Sequence, residues 1–486
     1  MRKVNVAVLA TLDSKQEAAR FVCEALARAG AAPWLVDLSL RPHAHAFADV
    51  RGDAVAAAAG TSWDALAKLS RAEAAEHMIA GGTRIVRAKL ARAGIGGVIG
   101  VGGANGSTMA CAIMRTLPLG LPKAMVTPVA ATAAVQWYVA ESDIAMFPTI
   151  GDISLNRITR AAMANAARAL AGMARTRSAR RAARRVPLIG VSSFGNTQPA
   201  VDRITARLEA AGYEVIHFHA SGPGGRALEQ LAASGELAGV IDLTISELTD
   251  LLTGGVYSAG EGRLTAAGAA GLPQVVAPGC LDFTNWWVGQ VPEKYRDREF
   301  FQYNVEILLM RTNAQEFAAL GALIGERLRA AKGPVRVLIP RLGMSQLVGR
   351  KTYDLAGNER GAWAQPDTDR VFVDTLARYL PDGVIRELPH HINDAAFADA
   401  CVEEMIGLLG RAPRRPAAKR NAPASRRAVT PRAKKEKTVP PTRTRVPESA
   451  RAGPRERAPS GARRASAGDP GRRRRAQKRP RQRTVR

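Results

Sequence analysis

The densest chemical signal in the chain is GVIGVGGANGST, residues 97–108, an apolar run that breaks into glycines and then hydroxyl residues. Gly102, Gly103 and Gly106 let a backbone approach an anion closely. A helix opening through Ala104, Asn105, Ser107 and Thr108 adds N–H donors and the positive end of its dipole. The spacing fits a phosphate or carboxylate cradle, or else a plain capped turn between strand and helix. It lacks the GK[ST] of a P-loop and has no in-register GxGxxG. A second candidate is Thr11-Leu12-Asp13-Ser14-Lys15, directly after an apolar run. There Lys15 could meet a phosphate as a point charge, and Asp13 could accept from a sugar hydroxyl or help hold Mg²⁺. The alternative is that Asp13 or Ser14 caps a helix and Lys15 is solvated. A third is HASGPGGR, residues 219–226, where His219 could act as acid, base or donor beside the Arg226 anchor. His217 and His219 share one strand face at a spacing used by metals, without an evident third ligand. Near the end, LPHHIND at 388–394 offers His391 and Asn393, with Asp394 as the cap of a last helix. No GxSxG elbow, glycosidase-like carboxylate pair or cysteine nucleophile context accompanies them.

Positioning these loops falls to a regular alternation. Residues 4–10 spell a strand, 15–29 a helix and 33–38 a strand, and similar units recur down the chain. Strands apolar on both faces, alternating with Ala-rich helices, predict a parallel sheet covered on both sides. A second series starts at Pro187, after the charged run that ends at Arg185. It copies the first: Gly30 and Gly212, Thr11 and Ser193, and Asp37 and His219 share an offset of 182 residues. GLPKAMVTP from Gly120 likewise answers GLPQVVAPG from Gly271. The fold class is therefore α/β, with two Rossmann-like parallel-sheet lobes over 1–178 and 186–410. A cleft between them is the expected seat of a ligand.

Charge separates a third segment. The chain carries +27 over 486 residues, but 27 of its 70 Lys and Arg lie beyond residue 410, beside four acids. The remaining 43 basic and 39 acidic residues leave the body nearly neutral. Residues 411–486, rich in Arg, Lys, Pro and Ala, are expected to be disordered. Weak nucleic-acid or polyanion contact belongs to that tail alone. Four scattered cysteines argue for a reducing compartment and against a zinc ribbon or disulfide scaffold. The opening apolar run is too short for a signal sequence, and no segment approaches a membrane span. A cytoplasmic protein is expected, with a homodimer plausible by base rate.

The chain resembles the Tm-one-like ATP-binding domain family, named for a plant resistance protein against tomato mosaic virus. The likeness covers nearly all of 1–410. It rests on ordered motifs, among them VAVLATLDSK at 6–15, GGVIGVGGANGST at 96–108, DISLNRITRAAMANAA at 152–167 and FHASGPGGRALEQL at 218–231. GLPQVVAPGCLDF at 271–283, LLMRTNAQE at 308–316 and HINDAAFADA at 391–400 continue it. The resemblance implies ATP bound by the first lobe through Thr11–Lys15 and Gly102–Thr108. It attaches no settled reaction. Ala10, Ser14 and Gln16 stand where the family tends to have Gly, Thr and Gly, and Ala104-Asn105 where it is richer in Ser and Gly. Two other readings stay open. One is a metabolic enzyme acting on a small carboxylate or phosphate ester through His219, Arg226 and His391. The other is a non-catalytic interaction module docked by its tail.

Overall fold

The first strand, VNVAVLA, carries neither charge nor glycine, and its last five residues are buried. A strand buried on both faces belongs inside a parallel sheet. In the computed structural model, which describes residues 3–43, 47–92, 94–180 and 186–411, that is where it lies. β1 (Val4–Ala10), β2 (Ala31–Asp37), β3 (Gly97–Val101), β4 (Lys123–Thr127) and β5 (Ile144–Pro148) form an all-parallel sheet in the order β2-β1-β3-β4-β5. Helices Leu12–Arg28 and Arg157–Arg180 cover one face through Ala18, Val22, Met163 and Leu170. Helices Arg71–Ala91 and Ala104–Arg115 cover the other through Met78, Val86, Met109 and Ile113.

The later strands are β6 (Leu188–Ser193), β7 (Glu214–His219), β8 (Leu237–Thr244), β9 (Gln274–Gly279), β10 (Phe283–Trp287) and β11 (Phe300–Gln302). They continue with β12 (Ile307–Arg311), β13 (Val335–Pro340), β14 (Lys351–Tyr353), β15 (Glu359–Ala362) and β16 (Ile385–Leu388). Six of them build a second parallel sheet, β7-β6-β8-β9-β13-β16. Its first five positions repeat the order of the first sheet, one strand longer. The copied plan extends to the helix stops: Gly30 and Gly212 both take positive φ, 80° and 87°, the left-handed conformation that ends a helix at little cost to glycine.

Sequence reading does not foresee the third sheet. β10, β12, β11, β14 and β15 pair antiparallel in that order. The sheet covers the carboxyl edge of the second parallel sheet, packing Phe283, Leu309 and Trp363 against Phe194 and Ala220. Asp282 fastens the junction, accepting from Ser345 Oγ at 2.6 Å and Trp363 Nε1 at 2.8 Å.

The two lobes lie in one compact unit. They meet where Leu119 packs on the cluster of Phe218, Leu228 and Leu231, and where Arg226 Nε pairs with Glu141 at 2.6 Å. No described helix is long and apolar enough to cross a membrane. The basic tail, from residue 412 on, lies outside the described residues.

A second bond joins the antiparallel sheet to its parallel neighbour. Asp250, in the helix Glu247–Thr253, accepts from Asn285 N at 3.1 Å and Asn285 Nδ2 at 2.8 Å. Burial, chiefly, and the nearby Glu247 charge push its carboxyl up to about 7, against the bonds from Asn285 and Tyr257 that favour the anion. A pKa raised on folding stabilises the native state below the unfolded value, and that contribution is lost as pH rises through the folded one. Urea unfolding from pH 5 to 8 should therefore show the parent chain losing stability relative to Asp250→Asn as pH rises from 5 towards about 7, with the difference levelling off above that. Parallel pH profiles for the two would count against this role for Asp250.

Candidate functional site

In sheets of order 2-1-3-4-5 the crevice opens beyond the carboxyl ends of strands 1 and 3, where the chain turns to opposite faces. In the first lobe the loop after β1 and the loop after β3 meet there, around a cleft of about 600 Å³. Thr11, Asp13, Ser14 and Lys15 line one side, and Gly103, Ala104, Asn105 and Gly106 the other. All of its lining belongs to the first lobe, so this cleft lies within that lobe rather than between the two.

Four other singled-out residues support the wall without lining the cleft. Leu12 is buried in the core, and its amide donates to Asp37 Oδ1 at 3.3 Å. Gly102 lies beneath the next helix, where an added Cβ would come within 2.8 Å of Gly106 Cα. Ser107 is buried and donates to Thr127 Oγ1 at 2.8 Å. Thr108 turns its hydroxyl back onto Ala104 O.

The two helix starts at this cleft differ in what their amides meet. At the Leu12–Arg28 helix, Leu12 N goes to Asp37, Asp13 N to Ser39 Oγ at 3.0 Å and Lys15 N to Thr11 O at 2.9 Å. Asp37 is 2% exposed and also accepts from Ser39 N and Oγ, with His43 Nε2 2.8 Å from its other oxygen, so an internal acid holds this turn. At the Ala104–Arg115 helix no side chain caps the start. The amides of Ala104, Asn105 and Gly106 belong to a first turn, which has no acceptor of its own. These three residues line the cleft beside two that sequence reading passed over, Arg41 after β2 and Arg71 at the start of its helix. Neither guanidinium forms an ion pair among the described residues. Lys15 is turned aside, donating to Ile153 O at 3.3 Å with Asp152 at 3.7 Å. Leu40, Leu66 and Leu69 make the apolar end of the cleft. The signals for the extra residues were local and weak: Arg41 follows a strand on the same sheet edge, and Ser70 with Glu73 forms a capping box that opens a helix at Arg71.

The glycine loop of the second lobe is already supplied with an anion. Glu247 Oε1 accepts from Gly222 N at 2.7 Å and Gly225 N at 3.0 Å. A Cβ at Gly225 would fall 2.1 Å from Glu247 Oε2. Glu247 is fully buried, and burial raises its carboxyl above the usual range although Arg263 pulls it down. Arg263, also fully buried, donates to Glu247 Oε2 at 2.7 Å and to Asp242 and Glu229. Arg226 points to Glu141, and His219 stacks edge-on against Phe194 with centroids 5.0 Å apart. His217 is bonded to Thr205. His391 Nε2 meets Ser345 O at 2.8 Å, and its Nδ1 accepts from Asn393 N. No contact among the described residues gathers His219, Arg226 and His391 into one constellation.

Comparison with known proteins fits this two-part body. The model described as the N-terminal domain of "Uncharacterised protein family (UPF0261)" matches residues 4–179, and that of its C-terminal domain matches 186–409. A UPF0261 protein of Rhizobium meliloti is 39% identical over 400 residues, 81% of this chain and 96% of its own length. One from Clostridium tetani is 35% identical over 83% of this chain and 98% of its own. The tomato ToMV resistance protein Tm-1(GCR237) is 33% identical over 64% of this chain and 41% of its own length.

The buried ion cluster yields a stability test. Arg263→Met would strand Asp242, Glu247 and Glu229 without their shared cation. Removing one member of a buried ion pair costs roughly 3–5 kcal/mol. Urea denaturation should show a loss of that size; a loss under about 1 kcal/mol would mean that the carboxylates do not depend on Arg263.

Proposed function

The chain belongs to the UPF0261 family, and from that premise and the site's geometry we propose that its first lobe binds a phosphate-bearing small molecule, ATP being the form the sequence resemblance implies. One observation carries the reading. An uncapped helix start, Ala104–Gly106, opens on a cleft of about 600 Å³ that also holds Arg41 and Arg71, neither of them ion-paired among the described residues. Free amides and a positive dipole end favour an anion at such a turn.

The residues fit the group in kind. Three cations, Lys15, Arg41 and Arg71, stand against one acid, Asp13, in the lining. The amides of Ala104, Asn105 and Gly106 would hold the phosphates, with Arg41 and Arg71 neutralising them. Asp13 would meet Mg²⁺ carried on the phosphates or accept from a ribose hydroxyl. Leu66 and Leu69 offer an apolar wall to a base, and Leu69 is 38% exposed. Lys15 would reach the ligand only by leaving Ile153 and Asp152, which makes it a poorer anchor than the two arginines. The second lobe provides no equivalent seat, because Glu247 fills its glycine loop.

Calorimetric titration of MgATP into the full chain tests this directly. Ala104 is exposed at the helix start, so Ala104→Asp places a carboxylate among the cradle amides while favouring the helix by about 0.3–1 kcal/mol. The variant should melt at or above the parent temperature and bind MgATP at least tenfold more weakly, with Arg71→Ala weakening it less. Absence of binding by the parent, or equal affinity in Ala104→Asp, would contradict the proposed site.

A further inference from the structure

Beyond the first lobe, the second parallel sheet has its own cavity of about 410 Å³ at the carboxyl ends of β13 and β16. We propose that this cavity is a binding site for a small monocarboxylate with an apolar body, anchored by Arg341.

Charge in the lining is almost entirely compensated. Arg370 bonds Asp374 at 2.7 Å and both oxygens of Glu387 at 3.0 Å. Asp369 is paired with the buried Arg311. Arg341 is the exception: it lines the cavity and its guanidinium forms no hydrogen bond or ion pair among the described residues. A single free fork of N–H donors matches one carboxylate in a bidentate pair. A phosphate dianion would bring a second charge that nothing in this lining meets, close to Asp369 and Glu387.

Apart from Gln365, the rest of the wall is apolar or glycine. Ile339, Met344, Val348 and Val373 line it, and Leu342 and Val348 remain 57% and 37% exposed beside Arg341. Exposed aliphatic side chains at the mouth of a cavity gain by covering an apolar ligand, and the volume is that of an ordinary small-molecule pocket.

The loop that carries the anchor is held in place before any ligand arrives. Arg341 N donates to Leu388 O and Leu342 N to His390 O, both at 3.0 Å. Ile392 N donates to Gly343 O at 3.0 Å, and Cys280 N to Met344 O at 2.9 Å. His391 adds its bond to Ser345 O. His391 is therefore a positioning residue for this loop. Preorganisation of this kind reduces the entropy lost on binding. The position agrees with the general rule that parallel sheets bind ligands beyond their strand carboxyl ends.

Titrating the full chain with acetate, isovalerate, benzoate and inorganic phosphate tests the assignment. Affinity should rise from acetate to isovalerate and benzoate, and phosphate should not compete with benzoate. Arg341→Gln, at an exposed side chain, should weaken benzoate at least tenfold without changing the melting temperature. Leu342→Ser should weaken benzoate and leave acetate unaltered. Ala104→Asp in the first lobe should leave both unaltered, which separates this site from the phosphate cleft. Failure of every carboxylate to bind, unchanged benzoate affinity in Arg341→Gln, or loss of benzoate in Ala104→Asp would each overturn it.

Discussion

A helix that starts at the carboxyl edge of a parallel sheet exposes amide donors that its own turn cannot satisfy, and the rest of this molecule is organised by what supplies the acceptors. At the Leu12–Arg28 helix the supplier is Asp37, buried at the end of β2 and acting directly and through Ser39. At the glycine loop before Pro223 it is Glu247, itself held by Arg263. Each of these two carboxylates is almost wholly buried, so the acceptor is fixed in the fold and needs no ligand. The Ala104–Arg115 helix has no such residue. Its open start is therefore where an external anion gains most.

The two lobes share a strand order and differ in what covers their carboxyl edges. In the second lobe the antiparallel sheet lays Phe283, Leu309 and Trp363 over Phe194, closing the region where the first lobe keeps its cleft. Bonds from Asp250 to Asn285 and from Asp282 to Ser345 and Trp363 tie this cover down at several points. What stays open in the second lobe lies farther along the edge, beyond β13 and β16. One plan used twice thus carries openings of different character: a polar cleft with three cations in the first lobe, and a mostly apolar cavity in the second whose Arg341 guanidinium has no partner among the described residues.

Much of this was legible in the residues. Strands without polar alternation implied buried parallel sheets, and the offset linking Gly30 to Gly212 exposed the copied plan. The loops at 11–15 and 102–108 come together because adjacent parallel strands must end on the same edge. What sequence could not show depends on partners distant along the chain. Glu247 is 25 residues from Gly222, so the loop at 219–226 reads as an empty anion seat until the carboxylate is found in it. Arg41 and Arg71 join the cleft from two other elements, and a lone arginine has no pattern to find. Leu12 and Ser107 lie in the right loops, but they face the core, a distinction that loop spacing does not carry. The antiparallel sheet escaped because its strands run only three to five residues, too short for period-two alternation to stand out.

The central claim is that an anionic ligand completes the helix start at Ala104–Gly106, and hydrogen–deuterium exchange with and without saturating MgATP tests it most directly. Exchange should slow in peptides covering 102–108, where the amides gain an acceptor, and stay unchanged over 222–226, where Glu247 already serves. Protection over 222–226, with none over 102–108, would contradict the claim and move the anion site to the second lobe.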